Sequence, residues 1–341
     1  MRMLAKHKVS AKLFGLTALS FCLVLVCAAG ALAEKKKYAI AGAGVGQSAY
    51  IQAAALADFV NTHSQKINLT PQTTRGYVHN ARLVNSGSSD FGLCGTTVIY
   101  PAMLGTEQFK DHKCENLRAV INSGDSLHSW VSFRKTGIKT IKDMAGKRIN
   151  LGAPGSNTRY IAELTLKAYG ILDKVDATSL GFGGAAAALR DGEIDAWAAA
   201  SAPPVPAIIE NFTDRDDTFL VELEEAMIKK IMSEHPPFVK VKVPANTYKG
   251  QTKPVNCLGY PAYLLVNKNV PDDVVYEVLK LVTSPEGRKR LITISDKWKT
   301  LEDEDVPKFE GMANIKLKLH TGAEKFWKEK GLKIPAAVAA K

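Results

Sequence analysis

Three stretches of this chain, residues 88–97, 148–171 and 181–196, share one construction: short apolar strands next to Gly/Ser/Thr turns that open helices. The first four N–H groups of a helix have no partner inside it, and the helix dipole adds positive potential there, so such turns cradle anions. Several on one chain point to a scaffold that holds a ligand in a shared cleft.

The first 33 residues carry Arg2, Lys6, Lys8 and Lys12, then an apolar run over 13–29, then Ala31-Leu32-Ala33. This is the pattern of a secretory signal peptide, with cleavage expected after Ala33. Lipoprotein processing at Cys27 is the weaker alternative, because Val26 stands where that signal wants a small residue. The apolar run is short for a bilayer span, and no later stretch approaches one. Loss of residues 1–33 lowers the formal net charge from +11 to +7. The remaining lysines are scattered, with no basic block and no interleaved aromatics, which argues against nucleic acid and leaves a basic surface suited to anions. Cys94, Cys114 and Cys257 lie outside any C-x-x-C spacing. Two of them paired, or all three as small core residues, are equally open readings.

The spacing predicts a strand at 37–41, a glycine turn at 42–48, a helix at 49–61, a strand at 67–73, a helix ending near Gly87, a strand at 91–94 and a further helix after Gly95-Thr96-Thr97. A second block follows residues 130–134: a strand at 148–152, a turn at 154–158, a helix at 160–169, a strand at 178–182, a helix at 185–191 and a strand at 194–198. Pro203, Pro204 and Pro206 then open another helix, a charged helix spans about 222–233, and residues 260–267 read as a returning strand. Alternating strands and helices predict an α/β fold of two lobes, each a mostly parallel sheet flanked by helices, with the glycine turns at the carboxyl ends of strands, where such sheets bind ligands. Residues 34–131 with 259–341 are expected to form lobe I and residues 132–258 lobe II.

The residues Arg82-Leu-Val-Asn-Ser-Gly87 with Asp90-Phe-Gly92, Gly146-Lys-Arg148 with Gly152-Ala-Pro-Gly-Ser156 and Thr158-Arg159, Leu189-Arg-Asp-Gly192 with Ile194-Asp195-Ala196, Pro206-Ala207-Ile208, Val243-Pro-Ala245 with Thr247-Tyr248, and Leu319-His320-Thr-Gly322-Ala323 occur in one order. In that order and spacing the chain resembles the TAXI-type solute receptors of tripartite ATP-independent periplasmic (TRAP) transporters, from about Tyr38 to Lys333. The resemblance implies a type II-like periplasmic binding protein that delivers a small carboxylate-bearing solute to a permease driven by an ion gradient. It departs from the family pattern at Gly44-Val45-Gly46-Gln47-Ser48-Ala49-Tyr50, which keeps one tyrosine of two. It departs again at Thr73-Thr74-Arg75-Gly76-Tyr77, and at Gly95-Thr96-Thr97, where a carboxylate is lost. A guanidinium gained and a carboxylate lost favour a dicarboxylate or oxoacid over an acidic amino acid, whose ammonium needs an acceptor.

Gly155-Ser156-Asn157-Thr158 combines helix-capping side chains with free N–H groups, so Ser156, Asn157 and Thr158 are the leading ligand candidates, although plain helix capping uses the same residues. Arg75 offers a two-pronged contact to a carboxylate, with His79 one turn on. Gln47, Ser48 and Tyr50 on the first turn, Thr74 on the second and Thr96 and Thr97 on the third complete the expected set, with Trp197 as an aromatic cover for the ligand or else a core residue. Gly42-Ala43-Gly44-Val45-Gly46 fails the dinucleotide fingerprint, because Gln47 stands where glycine is required. No G-x-S-x-G, H-E-x-x-H or paired Cys/His spacing occurs, so no enzyme, metal or cofactor is expected. A monomer is expected, and an exported sensor or immunogenic surface protein of the same fold is the rival reading.

Overall fold

Two long strands, β4 (Leu117–Phe133) and β10 (Val255–Asn267), run antiparallel through the middle of the molecule and carry everything else. The computed structural model describes residues 34–340 apart from Gly46 and Asp111. The expected leader and its cleavage site lie outside the described residues. Residues 37–341 form one compact unit. Of residues 1–36, only 34–36 are described, an extended lead into β1 (Lys36–Ala41).

The first βα block follows the sequence closely. β1 leads to α1 (Ser48–His63), β2 (Ile67–Gln72) to α2 (Tyr77–Ser86), and β3 (Phe91–Gly95) to α3 (Thr96–Leu104). After β4 come β5 (Arg148–Asn150), α4 (Asn157–Ala168), β6 (Asp176–Thr178), α5 (Phe182–Asp191), β7 (Ala196–Ser201), α6 (Pro206–Asp214), β8 (Thr218–Leu220), α7 (Glu225–Glu234) and β9 (Val239–Val243). β10 returns the chain, and α8 (Asp272–Val282), α9 (Pro285–Ile294), α10 (Phe309–Asn314) and α11 (Thr321–Glu329) close it. The strand expected at 178–182 ends at Thr178, and α5 starts at Phe182 with Gly183 and Gly184 inside its first turn. Apolar residues flanking two glycines read as a strand, whereas Gly181 in extended conformation is the true N-cap.

The ten strands of the described residues join one mixed sheet in the order β2-β1-β3-β10-β4-β7-β5-β6, with β8 on β4 and β9 on β10. The βα units supply the parallel pairs β1–β3, β5–β6 and β5–β7. Because β4 and β10 cross out and back, their own pairings are antiparallel. The apolar core divides along them. Its first part draws on β4 as far as Ile121 and on β10 from Tyr263 onward, and buries Leu56, Val60, Phe91, Val278 and Phe326. The second and third parts begin at Leu127 and end at Tyr260, on opposite faces of the sheet, around Trp130 with Ile161 and around Trp197 with Phe212.

A β-bulge marks that division. Asp125 pairs with Pro261 and Asn122 with Tyr263, so β4 spends three residues where β10 spends two. The extra length is Ser123-Gly124, and Gly124 sits at φ +96 with its N–H donating to Asn122 Oδ1 at 2.9 Å. A Cβ on Gly124 would lie 2.4 Å from the Lys297 carbonyl oxygen. Gly137, at φ +77, has nothing within 4 Å of an added Cβ. Gly137→Ala is therefore expected to cost only the left-handed backbone penalty, about 1–2 kcal/mol. Gly124→Ala adds a backbone clash and is expected to cost roughly 3 kcal/mol or more in urea unfolding. Equal losses would remove the special role of the bulge.

Candidate functional site

The turn before α4 builds one wall of a cleft. Gly152 takes φ +95, and an added Cβ would strike Thr158 Cγ2 at 2.9 Å, so only glycine lets the loop fold tightly under the helix. Ser156 caps α4 by accepting the Arg159 N–H at 3.2 Å. The amides of Asn157 and Thr158 then stand at the open, positive end of a 12-residue helix.

Across from it stand the turn before α2 and the start of α3. The cavity between them is about 700 Å³, within the range of small-ligand sites. Gln47, Arg75, Tyr77 and Thr97 line one side; Ser156, Asn157, Arg159, Tyr160 and Glu163 line the other. Arg159 is neutralised by Glu163 at 2.7 Å and also donates to Ser179 Oγ at 2.6 Å. Arg75 is exposed, and its guanidinium makes no ion pair among the described residues, so it leaves the lining one uncompensated cation. Two side-chain atoms of the lining are enclosed without a hydrogen-bond partner among the described residues: Thr97 Oγ1 from one wall and Asn157 Nδ2 from the other. Buried polar atoms of this kind are uncommon, because each costs desolvation without compensation. The walls also touch directly, through Thr96 Oγ1 donating to Pro237 O at 2.7 Å and Tyr160 Oη donating to Glu107 Oε1 at 3.4 Å.

The expected residues divide on this geometry. Gln47, Arg75, Thr97, Ser156 and Asn157 meet at the cavity, although Gln47 Oε1 is turned back to accept the Gly44 N–H at 2.9 Å. Ser48 is exposed and Tyr50 half-buried on the first turn of α1, and neither belongs to the lining. Thr74 lies outside the lining. Its hydroxyl donates to Asn80 Oδ1 at 2.6 Å and accepts from the Gly76 N–H at 3.1 Å, fixing the turn that carries Arg75. The Thr96 hydroxyl is likewise committed to Pro237, and Thr158 Oγ1 accepts the Ala200 N–H at 3.3 Å. Trp197 is a core residue and not a cover for the cleft: it is fully buried, packs on Phe182, and donates from Nε1 to Asn211 Oδ1 at 3.0 Å. Its position on β7 points it to the far face of the sheet, together with Phe212.

Tyr77, Tyr160 and Glu163 escaped the sequence reading, though each lies one or a few residues from a motif residue. His128, dispersed in sequence from every motif, also escaped it. It lies on β4, 1% exposed, edge-on to Trp130 at 5.2 Å between ring centres, with neither ring nitrogen partnered among the described residues. Cys94, Cys114 and Cys257 are free and buried. Burial pushes the Cys257 thiol up to about 12, so it packs as an inert small side chain. No helix among the described residues is long and apolar enough to cross a membrane.

The mixed sheet split by two crossing strands, with helix N-termini facing a cleft, is the architecture of periplasmic solute-binding proteins. The structure is similar to that of a protein assigned as the periplasmic sulfonate-binding protein SsuA of Methylobacillus flagellatus KT, with TM-score 0.52 and 16% identity over 88% of this chain and 96% of that one. It is also similar to the periplasmic aliphatic sulphonate binding protein SsuA of Escherichia coli, with TM-score 0.46 and 14% identity over 90% and 96%. At such identities the likeness concerns the fold. By sequence, the chain belongs to the NMT1-like family, whose model matches residues 40–331.

Burial pulls the His128 imidazole down to about 3, with the Thr158 backbone acting weakly the other way. The folded protein therefore keeps this ring neutral where the unfolded chain protonates it, near pH 6.5. Its contribution to stability is complete above that pH and falls as pH drops toward 3, because the unfolded state binds the extra proton. His320, also held low by burial, acts in the same direction. Urea unfolding at pH 7, 6 and 5 is expected to show a loss from His128 that approaches about 1.4 kcal/mol per pH unit once below pH 6, with His320 adding to it in the same direction. His128→Phe should remove its share, and an unchanged slope would mean that His128 is accessible to protons in the folded state.

Proposed function

We propose that this chain is an extracytoplasmic solute receptor that captures a small organic anion, a dicarboxylate or oxoacid ahead of an acidic amino acid, and delivers it to a membrane permease. The observation that carries the reading is the pairing of Thr97 Oγ1 and Asn157 Nδ2, enclosed and unpartnered on opposite walls, beside the uncompensated Arg75. A carboxylate lying between them would accept from the Asn157 amide and the Thr97 hydroxyl, receive the amides at the start of α4, and meet the guanidinium at its other end. The lobes of this reading are residues 34–131 with 259–341, and residues 132–258. Binding then works by population shift, since only the closed arrangement brings donors of both walls to one ligand. The ordered motifs 82–92, 146–159 and 189–196, with their TAXI-type resemblance, favour an ion-gradient-driven TRAP permease in the membrane as the partner and the periplasm as the place of this chain. The structural relatives are named for sulfonates, which present similar acceptor oxygens with a single charge.

Residues 34–341, refolded from denaturant, are to be screened by thermal unfolding against succinate, 2-oxoglutarate, L-glutamate, L-glutamine and an alkanesulfonate. A cognate ligand at a hundred times its Kd should add about 2.7 kcal/mol, and the expected winner is succinate or 2-oxoglutarate. Stabilisation by glutamine or by the alkanesulfonate alone overturns the dianion reading, and stabilisation by none overturns the carboxylate class. Arg75→Ala is expected to weaken calorimetric binding of the winner by roughly 1.5–3 kcal/mol and to leave the melting temperature of the empty protein unchanged. An unaltered Kd would take Arg75 out of the site.

A further inference from the structure

The cavity at the start of α4 does not end at Tyr160. Tyr160 and Glu163 also line a second groove of about 470 Å³, which follows α4 toward its C-terminal end. Glu107 lines this groove and its chain neighbour Gln108 lines the cleft, so the two hollows adjoin on the other wall as well. The spacing along α4 accounts for the continuity. Residues three and four apart share one face of a helix. Asn157, Tyr160, Glu163 with Leu164, and Lys167 with Ala168 recur at that spacing, so a single face of α4 passes from the cleft into the groove. From Asn157 to Leu164 that face runs about 10 Å, roughly the reach of an extended octanoyl chain.

The groove differs from the cleft in chemistry. Its apolar lining is Leu164, Ala168 and Leu172, each half-buried, packed on one side against the core around Trp130 and Ile161 and open on the other. Enclosed polar atoms without a partner, which mark the cleft at Thr97 and Asn157, do not occur in this lining among the described residues. Charge is balanced against an anion. Three carboxylates, Glu107, Glu163 and Glu234, stand with two ammonium groups, Lys167 and Lys230, so the groove holds no surplus cation for a second acidic head. What it offers is half-covered apolar surface, which attracts an alkyl chain in proportion to the area removed from water.

We infer that this groove is a subsite for the tail of the bound anion, and that the ligand is a 2-oxoacid with a linear aliphatic chain of hexanoate to octanoate length. Its head lies among Thr97, Asn157 and Arg75, and its chain passes Tyr160 to lie on Leu164 and Ala168. The inference rests on the cleft being the ligand site, and within that reading it favours the oxoacid over the dicarboxylate. Passage of the chain requires the contact between Tyr160 Oη and Glu107 Oε1 to open. At 3.4 Å that contact lies beyond the usual range for an O–H donor and an oxygen acceptor, so little opposes its opening.

Calorimetry on residues 34–341 compares 2-oxobutanoate, 2-oxohexanoate and 2-oxooctanoate, which share one head. Affinity is expected to rise about twofold to fourfold per methylene. A tryptophan at position 168 leans toward the helix N-terminus and over Leu164. Ala168→Trp is therefore expected to cut the ratio of 2-oxooctanoate to 2-oxobutanoate affinity about tenfold. Equal affinities along the series in the wild type, or a ratio unchanged in Ala168→Trp, overturn the inference and leave the cleft reading standing. Leucine-methyl NMR of the wild type reads the groove directly, with Leu164 assigned by the loss of its signal in Leu164→Ala, so the test does not depend on a variant that folds poorly. 2-Oxooctanoate is expected to move the Leu164 signal and 2-oxobutanoate to leave it in place. A shift with the same midpoint in Arg75→Ala and Asn157→Ala keeps the groove as a chain site and overturns the cleft as the place of the head. A shift that follows protein concentration alone marks a second copy in the groove and overturns the inference. Absence of binding by every oxoacid, with no methyl shift, overturns both readings.

Discussion

The antiparallel pairing of β4 with β10 is the contact on which the rest of the molecule hangs. Both strands pass from one part of the core to the next, so neither part is complete without them. At the passage, β4 carries an extra residue and a left-handed glycine, and Lys297 packs its carbonyl against the space where a side chain would be. A bulge bends a strand and strengthens its local twist. It therefore bears on the angle at which the two ends of the sheet diverge.

Local structure was readable wherever one residue pattern had one meaning. The first block, from β1 to α3, follows from short apolar strands and glycine or threonine turns, and the structure matches it nearly residue by residue. The centre was not readable in this way. Asn122-Ser123-Gly124-Asp125-Ser126 has the composition of a loop, yet lies within β4 with Asn122, Ser123 and Ser126 buried. Thr300 donates to Asn122 and Lys297 to Ser126, both from a turn more than 170 residues later in the chain. A polar run becomes strand only when distant groups satisfy it, and no local pattern carries that information. β9 was missed for a different reason: Val239 to Val243 alternates Val with Lys as an edge strand should, but the charges obscured it.

The candidate site shows the same division. Turn chemistry pointed to Arg75, Ser156 and Asn157, because capping side chains and open helix ends are written locally. It could not separate hydroxyls that face the cavity from those that hold the turns. Thr74, Thr96 and Thr158 have the same composition and neighbourhood as Thr97, yet each spends its hydrogen bond on the protein. Which threonine remains unpartnered depends on carbonyls and amides brought in by other elements, such as Pro237 and Ala200. Trp197 illustrates the period-2 rule of strands. A shift of one residue along β7 turns a side chain from the cleft side to the far face, and the sequence reading had no register to decide between them.

The unpartnered atoms also bear on how a receptor of this kind would switch. An enclosed polar group without a partner costs about 1–3 kcal/mol. Thr97 and Asn157 together would then oppose closure of the empty protein by roughly 2–6 kcal/mol, a bias of roughly thirtyfold to twenty-thousandfold. The direct contacts between the walls, Thr96 with Pro237 and Tyr160 with Glu107, pull the other way with about 0.5–1.5 kcal/mol each. The balance lies near or against closure until an anion satisfies both orphaned groups. Ligand binding would then remove the penalty and, on the proposed reading, add charged hydrogen bonds from Arg75. On this reading, the groups that recognise the solute are also the ones that keep the empty cleft from closing, and discrimination and switching are one property of the same two side chains.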